Sequence, residues 1–94
     1  MITQNPPVRQ LKNIGSTVAR RLHEIGIQTR DDLARVGAVS AYCELKQRYP
    51  NTRMPLCYYL YSLEGALRDQ HWDNIGNDLK KELQSKAYRF LTAT

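Results

Sequence analysis

Two glycine-containing turns divide the first third of this 94-residue chain into short helical segments. The first turn spans residues 13–16 and leads into a helix for which Ser16 is the expected N-cap, because a serine hydroxyl accepts a free amide of the first turn. The apolar residues that follow recur on one helical face: Val18, Ala19, Leu22 and Ile25. Gly26 predicts a left-handed helix end, with Ile27 folding back on Leu22 as in a Schellman motif.

A second short helix is expected directly after this turn. Thr29 starts it, and Asp31 and Asp32 lie at its positive end, where carboxylates are favoured. Its core-facing residues are Leu33 and Val36, and Gly37 ends it. Short helices joined by tight turns are typical of a helix-hairpin-helix module, in which the helix before the first turn has to fit between Pro7 and Asn13.

The first turn carries the candidate nucleic-acid site. A glycine before a helix start permits close approach to the backbone, and the free amides and the helix dipole there favour an anion such as a phosphate. The candidate nucleic-acid-binding residues are Lys12, Gly15, Ser16, Thr17, Arg20 and Arg21, with Arg9 nearby. Contact with duplex DNA would then be confined to the backbone, non-specific and dependent on salt. The alternative is that Gly15 and Gly26 only let short helices turn and pack.

The charge of the chain is unevenly distributed. The formal net charge is +5, and residues 1–53 hold nine Lys or Arg against four Asp or Glu, whereas residues 54–94 hold five of each. The excess of basic residues in the half that carries the turns indicates an anionic partner. The alternative is that it serves solubility.

Several classes of protein are not indicated by the composition. No run approaches the roughly 20 apolar residues of a membrane span, and no apolar signal segment is visible, so a cytoplasmic location is expected. Cys43 and Cys57 are too few for a disulfide framework, and their spacing to His23 and His71 does not favour a metal site. We expect reduced thiols, no metal and no cofactor.

The rest of the chain predicts three more helices. Residues 1–10, with Pro6-Pro7, are expected to form an N-terminal tether, and residues 11–94 a single helical domain. A third helix runs from Ala38 towards Pro50. Pro55 is expected to open a fourth helix at its preferred first position, and a last helix begins near Asn77 or Asp78. The predicted fold is therefore all-α, a small bundle of about five short helices with a helix-hairpin-helix-like N-terminal half.

Four residues of the fourth helix and its end are informative. Gly65 lowers helix propensity by about 1 kcal/mol relative to alanine, which indicates close contact with another helix. Glu64 and Arg68 form an i, i+4 pair. Trp72, the single tryptophan, is expected to cover the core as a lid.

Four motifs make the chain resemble the TfoX (Sxy) C-terminal domain family. They are Leu11-x-Asn13-Ile14-Gly15; Ala19-x-x-Leu22 with Gly26-Ile27-x-Thr29-x-x-Asp32-Leu33; Gly37-Ala38; and Leu60-Tyr61-Ser62-Leu63-Glu64-Gly65-Ala66-Leu67 followed by Trp72. The resemblance implies a small helical bundle with helix-hairpin-helix-like character. Longer members carry this domain behind an N-terminal α/β domain and regulate competence genes, so the chain is expected to be a short stand-alone member or an excised piece.

Two classes of function remain open. The first is a regulatory module of this family that acts by protein interaction and by contact with the DNA backbone. The second is a stand-alone docking or dimerisation module without DNA binding, for which Tyr58 and Tyr61, together with Tyr88, are the candidate protein-interface residues. An enzyme is not expected, because Cys43 and the two histidines have no triad-like context.

Overall fold

The structure, a computed structural model, describes residues 5–92 and contains five α-helices. They are α1 (Ser16–Glu24), α2 (Arg30–Val36), α3 (Ala38–Arg48), α4 (Leu60–Arg68) and α5 (Asn77–Thr92). Two 3₁₀ turns, Val8–Gln10 and Trp72–Asn74, precede α1 and α5. The predicted all-α fold of about five short helices is confirmed. Among the described residues, none of the helices is both long and apolar enough to cross a membrane.

Local hydrogen bonds determine where α1 ends and where α2 begins. The amide of Ile27 donates to the carbonyl of Leu22 at 2.9 Å, and that of Gly26, with φ 87°, donates to His23 at 3.0 Å. These two bonds form the predicted Schellman motif. Thr29 is the N-cap of α2, and its side chain and that of Asp32 form a reciprocal capping box. Hydrogen bonds from the amides of Gln28 and Thr29 lower the pKa of the Asp32 carboxyl.

Two predicted helix starts are wrong. Gly15, not Ser16, is the N-cap of α1, and no side chain caps the helix there. Pro55 does not open α4. Its carbonyl accepts the amides of both Tyr58 and Tyr59, but the amide of Tyr61 then donates to Leu56, five residues back, at 2.9 Å, so residues 56–59 form an irregular turn. Tyr59 has φ −118° and ψ −75°, and the regular helix begins only after it, at Leu60.

The core is built around α3 and α4. The largest fully buried aliphatic side chains come from four helices and the segments beside α1: Val8, Leu22, Ile27, Leu33, Leu45, Leu60 and Leu63. Helix α5 packs mainly on α3 and buries only Leu83 and Ala87. Trp72 is partly buried against this core, as expected of a lid.

The predicted tether is wrong for the described part of residues 1–10. Val8 is fully buried, and its amide donates to the carbonyl of Gln28 at 3.0 Å. The amide of Arg30 donates to the carbonyl of Pro6 at 2.9 Å, on the other side of a bridge between Pro7 and Thr29. Residues 5–10 therefore belong to the domain, because an apolar side chain in this segment completes the core. Residues 1–4 of the tether lie outside the described part.

Candidate nucleic-acid interface

The hairpin turn before α1 is held by Asn13 rather than by a glycine. Asn13 has φ 75°, a left-handed conformation that asparagine tolerates better than most residues. Gly15 has φ −88° and ψ 178°, and a Cβ there would meet nothing within 4 Å. Any residue can adopt the backbone conformation of Gly15, and the left-handed position of this turn is occupied by Asn13. Ile14, buried between them, anchors the turn in the core.

Asn13 fixes the position of the turn against the far end of α4. Its side-chain amide donates to the carbonyls of Gln70 at 2.8 Å and Ser62 at 3.4 Å. Its side-chain oxygen accepts the amide of Trp72 at 3.3 Å. A Cβ on Gly65 would lie 2.6 Å from this side-chain nitrogen. The close contact expected at Gly65 is thus with the hairpin turn and with residues 70–72, not with another helix.

The start of α1 presents free hydrogen-bond donors to solvent. Gly15, Ser16 and Thr17 are all exposed. The first turn contains no acidic residue and no side-chain cap. Within residues 5–92, their amides have no hydrogen-bond acceptor, backbone or side chain. An exposed helix start of this kind attracts an anion through its amides and its dipole.

Basic side chains surround this helix start, and one of the predicted set is used elsewhere. Lys12 and Arg20 are exposed and make no ion pair within residues 5–92, and Arg20 is four residues after Ser16, on the same helical face. Arg21 instead donates to the hydroxyl of Tyr59 at 2.6 Å and stacks 4.7 Å from the ring centroid of Tyr49. Arg21 therefore joins α1 to the C-terminal end of α3 and to the segment before α4.

The hairpin segment has no acidic residue of its own. Residues 1–23 contain Arg9, Lys12, Arg20 and Arg21, and the first acidic residue of the chain is Glu24. Glu24 itself is paired with Arg48, whose Nε lies 3.4 Å from its carboxylate. This segment therefore contributes +4 of the net charge of +5.

The two predicted interface tyrosines have different environments. Tyr58 is 61% exposed, as an interface residue requires. Tyr61 is only 7% exposed, so its predicted exposure is wrong. Its hydroxyl accepts a hydrogen bond from the side-chain amide of Gln84, and the Lys80 ammonium lies 5.6 Å from its ring centroid. Contacts with α5 thus cover Tyr61, which sequence periodicity alone did not indicate.

The other exposed aromatic residues lie on α5. Tyr88 is 71% exposed and Phe90 47%. Tyr88 borders an apolar cleft of about 240 Å³ between α3 and α5, whose walls include Tyr42, Leu56 and Leu91. From sequence, Tyr88 was only an additional interface candidate, although it is the most exposed of the three candidate tyrosines.

The pKa values of one thiol and one carboxylate are shifted by their surroundings. Burial raises the pKa of the Cys43 thiol, which disfavours the nucleophilic thiolate. The pKa of Asp73 is lowered by its bond with the Lys80 ammonium, 2.7 Å away. Residues 5–92 contain no group of three or more His, Cys, Asp or Glu able to hold a metal ion.

The fold and this surface define a small all-α domain with a basic, acid-free hairpin at its N-terminal end. The chain belongs to the TfoX C-terminal domain family, whose model matches residues 4–87. A solved structure, described as the crystal structure of an uncharacterized protein from Listeria monocytogenes in a triclinic form, is similar with a TM-score of 0.78. The two are 26% identical, and the match covers 92% of this chain and 94% of that chain. No curated protein matches the chain at a significant level.

Proposed function

We propose that this domain is a non-enzymatic regulatory module that contacts the nucleic-acid backbone through its hairpin turn and the start of α1. The observation that carries the proposal is the concentration of charge, because residues 1–23 hold four basic residues and no acidic one. Membership of the TfoX C-terminal domain family supports the regulatory role. Regulation of competence is the pathway that the family resemblance suggests.

Contact of this kind is made with phosphates and not with bases. The amides of Gly15, Ser16 and Thr17 donate to one phosphate, and Lys12 and Arg20 add charge beside it. Binding is then non-specific and falls with salt, by about 0.9 logarithmic units of affinity per logarithmic unit of salt for each phosphate neutralised. If Lys12 and Arg20 each neutralise one phosphate, a plot of the logarithm of affinity against the logarithm of salt concentration has a slope of about −2.

The test is a backbone-amide NMR titration of the chain with a short DNA duplex at low and at moderate salt. We expect the amides of residues 12–20 to shift, and the shifts to weaken as salt rises. Arg20→Glu should abolish binding, whereas Lys81→Glu, an equal change of charge at an exposed site on α5, should leave most of it. Equal affinities for the two variants would refute the hairpin surface.

Docking of another protein, with a second copy of the chain as the simplest case, is the alternative function. It is favoured by the exposure of Tyr88 beside the apolar cleft between α3 and α5. Sedimentation equilibrium of the wild-type chain should then give a mass above that of one copy, and Tyr88→Ser should restore the monomer. A monomeric wild-type chain over the accessible concentration range would argue against self-association.

A further inference from the structure

A cleft of about 390 Å³ opens beside the hairpin turn, between residues 6–12, the start of α2 and the end of α4. Its apolar walls include Pro6 and Leu11, and its charged walls are Lys12, Arg30 and Asp69. The volume lies towards the lower end of the range of small-molecule sites, which is roughly 300–1,000 Å³. The cleft is therefore suited to a ligand of modest size.

The cationic side of the cleft combines a guanidinium that is hydrogen-bonded to the fold with an exposed ammonium. The Arg30 guanidinium is half-buried, and its Nη2 donates to the carbonyl of Leu67 at 2.7 Å. This bond occupies one of the five N–H donors of the guanidinium, and the others remain for a ligand. Lys12 is exposed and makes no ion pair within residues 5–92. An anionic group entering the cleft meets both.

The opposite charge in the same cleft comes from Asp69. This residue caps α4 in a left-handed conformation, with φ 56°, and is exposed. Its carboxylate makes no ion pair with any residue in the range 5–92, although two basic residues line the same cavity. A ligand that fills the cleft therefore meets the positive charges of Lys12 and Arg30 and the carboxylate acceptor of Asp69, and it needs both an anionic group and a hydrogen-bond donor.

We propose that this cleft binds a single nucleotide unit. Lys12 and Arg30 receive the phosphate, Pro6 and Leu11 contact the apolar face of the base, and Asp69 accepts a hydrogen bond from an exocyclic amine or a sugar hydroxyl. The unit is either a free nucleotide or the unpaired end of a nucleic-acid strand. The cleft shares Lys12 with the proposed phosphate surface but does not include Arg20.

The experiment is an amide NMR titration of the full chain with four probes: 5′-AMP, inorganic phosphate, a blunt DNA duplex, and the same duplex with a one-nucleotide overhang. Shifts at Leu11, Arg30 and Asp69 that saturate with 5′-AMP support a free nucleotide. Shifts there with the overhang duplex, but with neither the blunt duplex nor 5′-AMP, support a strand end. If no probe shifts these residues, or if inorganic phosphate gives the same shifts as 5′-AMP, the nucleotide site is overturned.

Variants separate this site from the duplex surface. Lys12→Glu should weaken 5′-AMP binding by about tenfold or more, because it removes a charge-assisted hydrogen bond, whereas Lys81→Glu should not. Asp69→Gly keeps a residue that tolerates the left-handed conformation, removes the acceptor and should weaken nucleotide binding without changing duplex affinity. Arg20→Glu should weaken duplex binding without changing nucleotide affinity. Equal affinities of Lys12→Glu and Lys81→Glu for the probe that shifts the cleft residues, 5′-AMP or the overhang duplex, would overturn the assignment.

Discussion

Replacement of Gly65 by alanine tests how tightly the hairpin turn is held against α4. A Cβ at this position would lie 2.6 Å from the Asn13 side-chain nitrogen and 2.6 Å from the carbonyl oxygen of Gln70. Real Cβ atoms do not approach other atoms this closely, and one of the two contacts is backbone. The turn, or residues 70–72, must therefore move, although alanine is the better helix former.

The expected loss of stability follows from three opposing contributions. Overpacking costs about 1–3 kcal/mol, and weakening the two bonds of Asn13 to Gln70 and Trp72 costs about 1 kcal/mol each. The gain in helix propensity offsets about 1 kcal/mol. The net loss is about 2–4 kcal/mol, which lowers the Tm of a domain of this size by about 8 °C or more.

Thermal and urea unfolding followed by circular dichroism measure this loss. Gly15→Ser is the matched control, because a Cβ at Gly15 meets nothing within 4 Å and serine is a good N-cap. Its stability should equal or slightly exceed that of the wild type. A Gly65→Ala chain as stable as the wild type would refute the close contact.

A double-mutant cycle identifies the atom that Gly65 faces. Asn13→Gly keeps a residue that accepts the left-handed turn but removes the side chain. In that background, Gly65→Ala should cost less than in the wild type, because only the contact with Gln70 remains. If the stability losses of the two single variants add up to that of the double variant, the Asn13 side chain is not the contact that makes Gly65→Ala costly.

Three further predictions concern single side chains. Trp72→Ala should lower the free energy of unfolding by about 2 kcal/mol in urea, less than the 3–5 kcal/mol of a fully buried aromatic, because Trp72 is partly buried; an unchanged value would contradict its role as a lid. Arg21→Glu should lower the Tm through loss of its bond to Tyr59, whereas Arg20→Glu should not, and equal Tm values would show that the two side chains are equivalent. Asp32 has a lowered pKa in the fold, so its contribution to stability is present above the ordinary aspartate pKa of about 4 and is lost as the pH falls through the lower folded value. The stability difference between the wild type and Asp32→Asn should therefore shrink in acid, and a difference independent of pH would contradict the capping role.

The predictions that succeeded depend on local chemistry, although two local helix starts, at Ser16 and at Pro55, were wrong. The Schellman end at Gly26 and the start of α2 at Thr29, with Asp31 and Asp32 in its first turn, depend on residues at most five positions apart. The pair of Glu64 and Arg68 was also confirmed, with Nε 2.6 Å from the carboxylate. In each case neighbours in sequence suffice to satisfy the backbone or the charge.

The predictions failed where distant segments meet. Asn13 contacts Gln70 and Trp72, which lie 57 and 59 positions further along the chain. No local sequence pattern predicts these contacts. The buried position of Val8 depends likewise on a bridge to α2, and that of Tyr61 on α5.

The candidate nucleic-acid site was predictable in composition but not in detail. Five of its six residues are exposed around the start of α1: Lys12, Gly15, Ser16, Thr17 and Arg20. Arg21 is turned towards Tyr49 and Tyr59, because those aromatic residues approach from α3 and from the segment before α4. The charge of the site follows from sequence, whereas the direction of each side chain follows from packing.

The bond between Asn13 and the backbone of Trp72 gives the domain an internal optical reporter. Trp72 is the single tryptophan of the chain, and its amide is held by the residue at the centre of the hairpin turn. The indole also lies 5.3 Å from the ammonium of Lys80, a charge to which its emission is sensitive. A displacement of the hairpin is therefore transmitted to the surroundings of one fluorophore, and intrinsic fluorescence can follow events at the turn without any label.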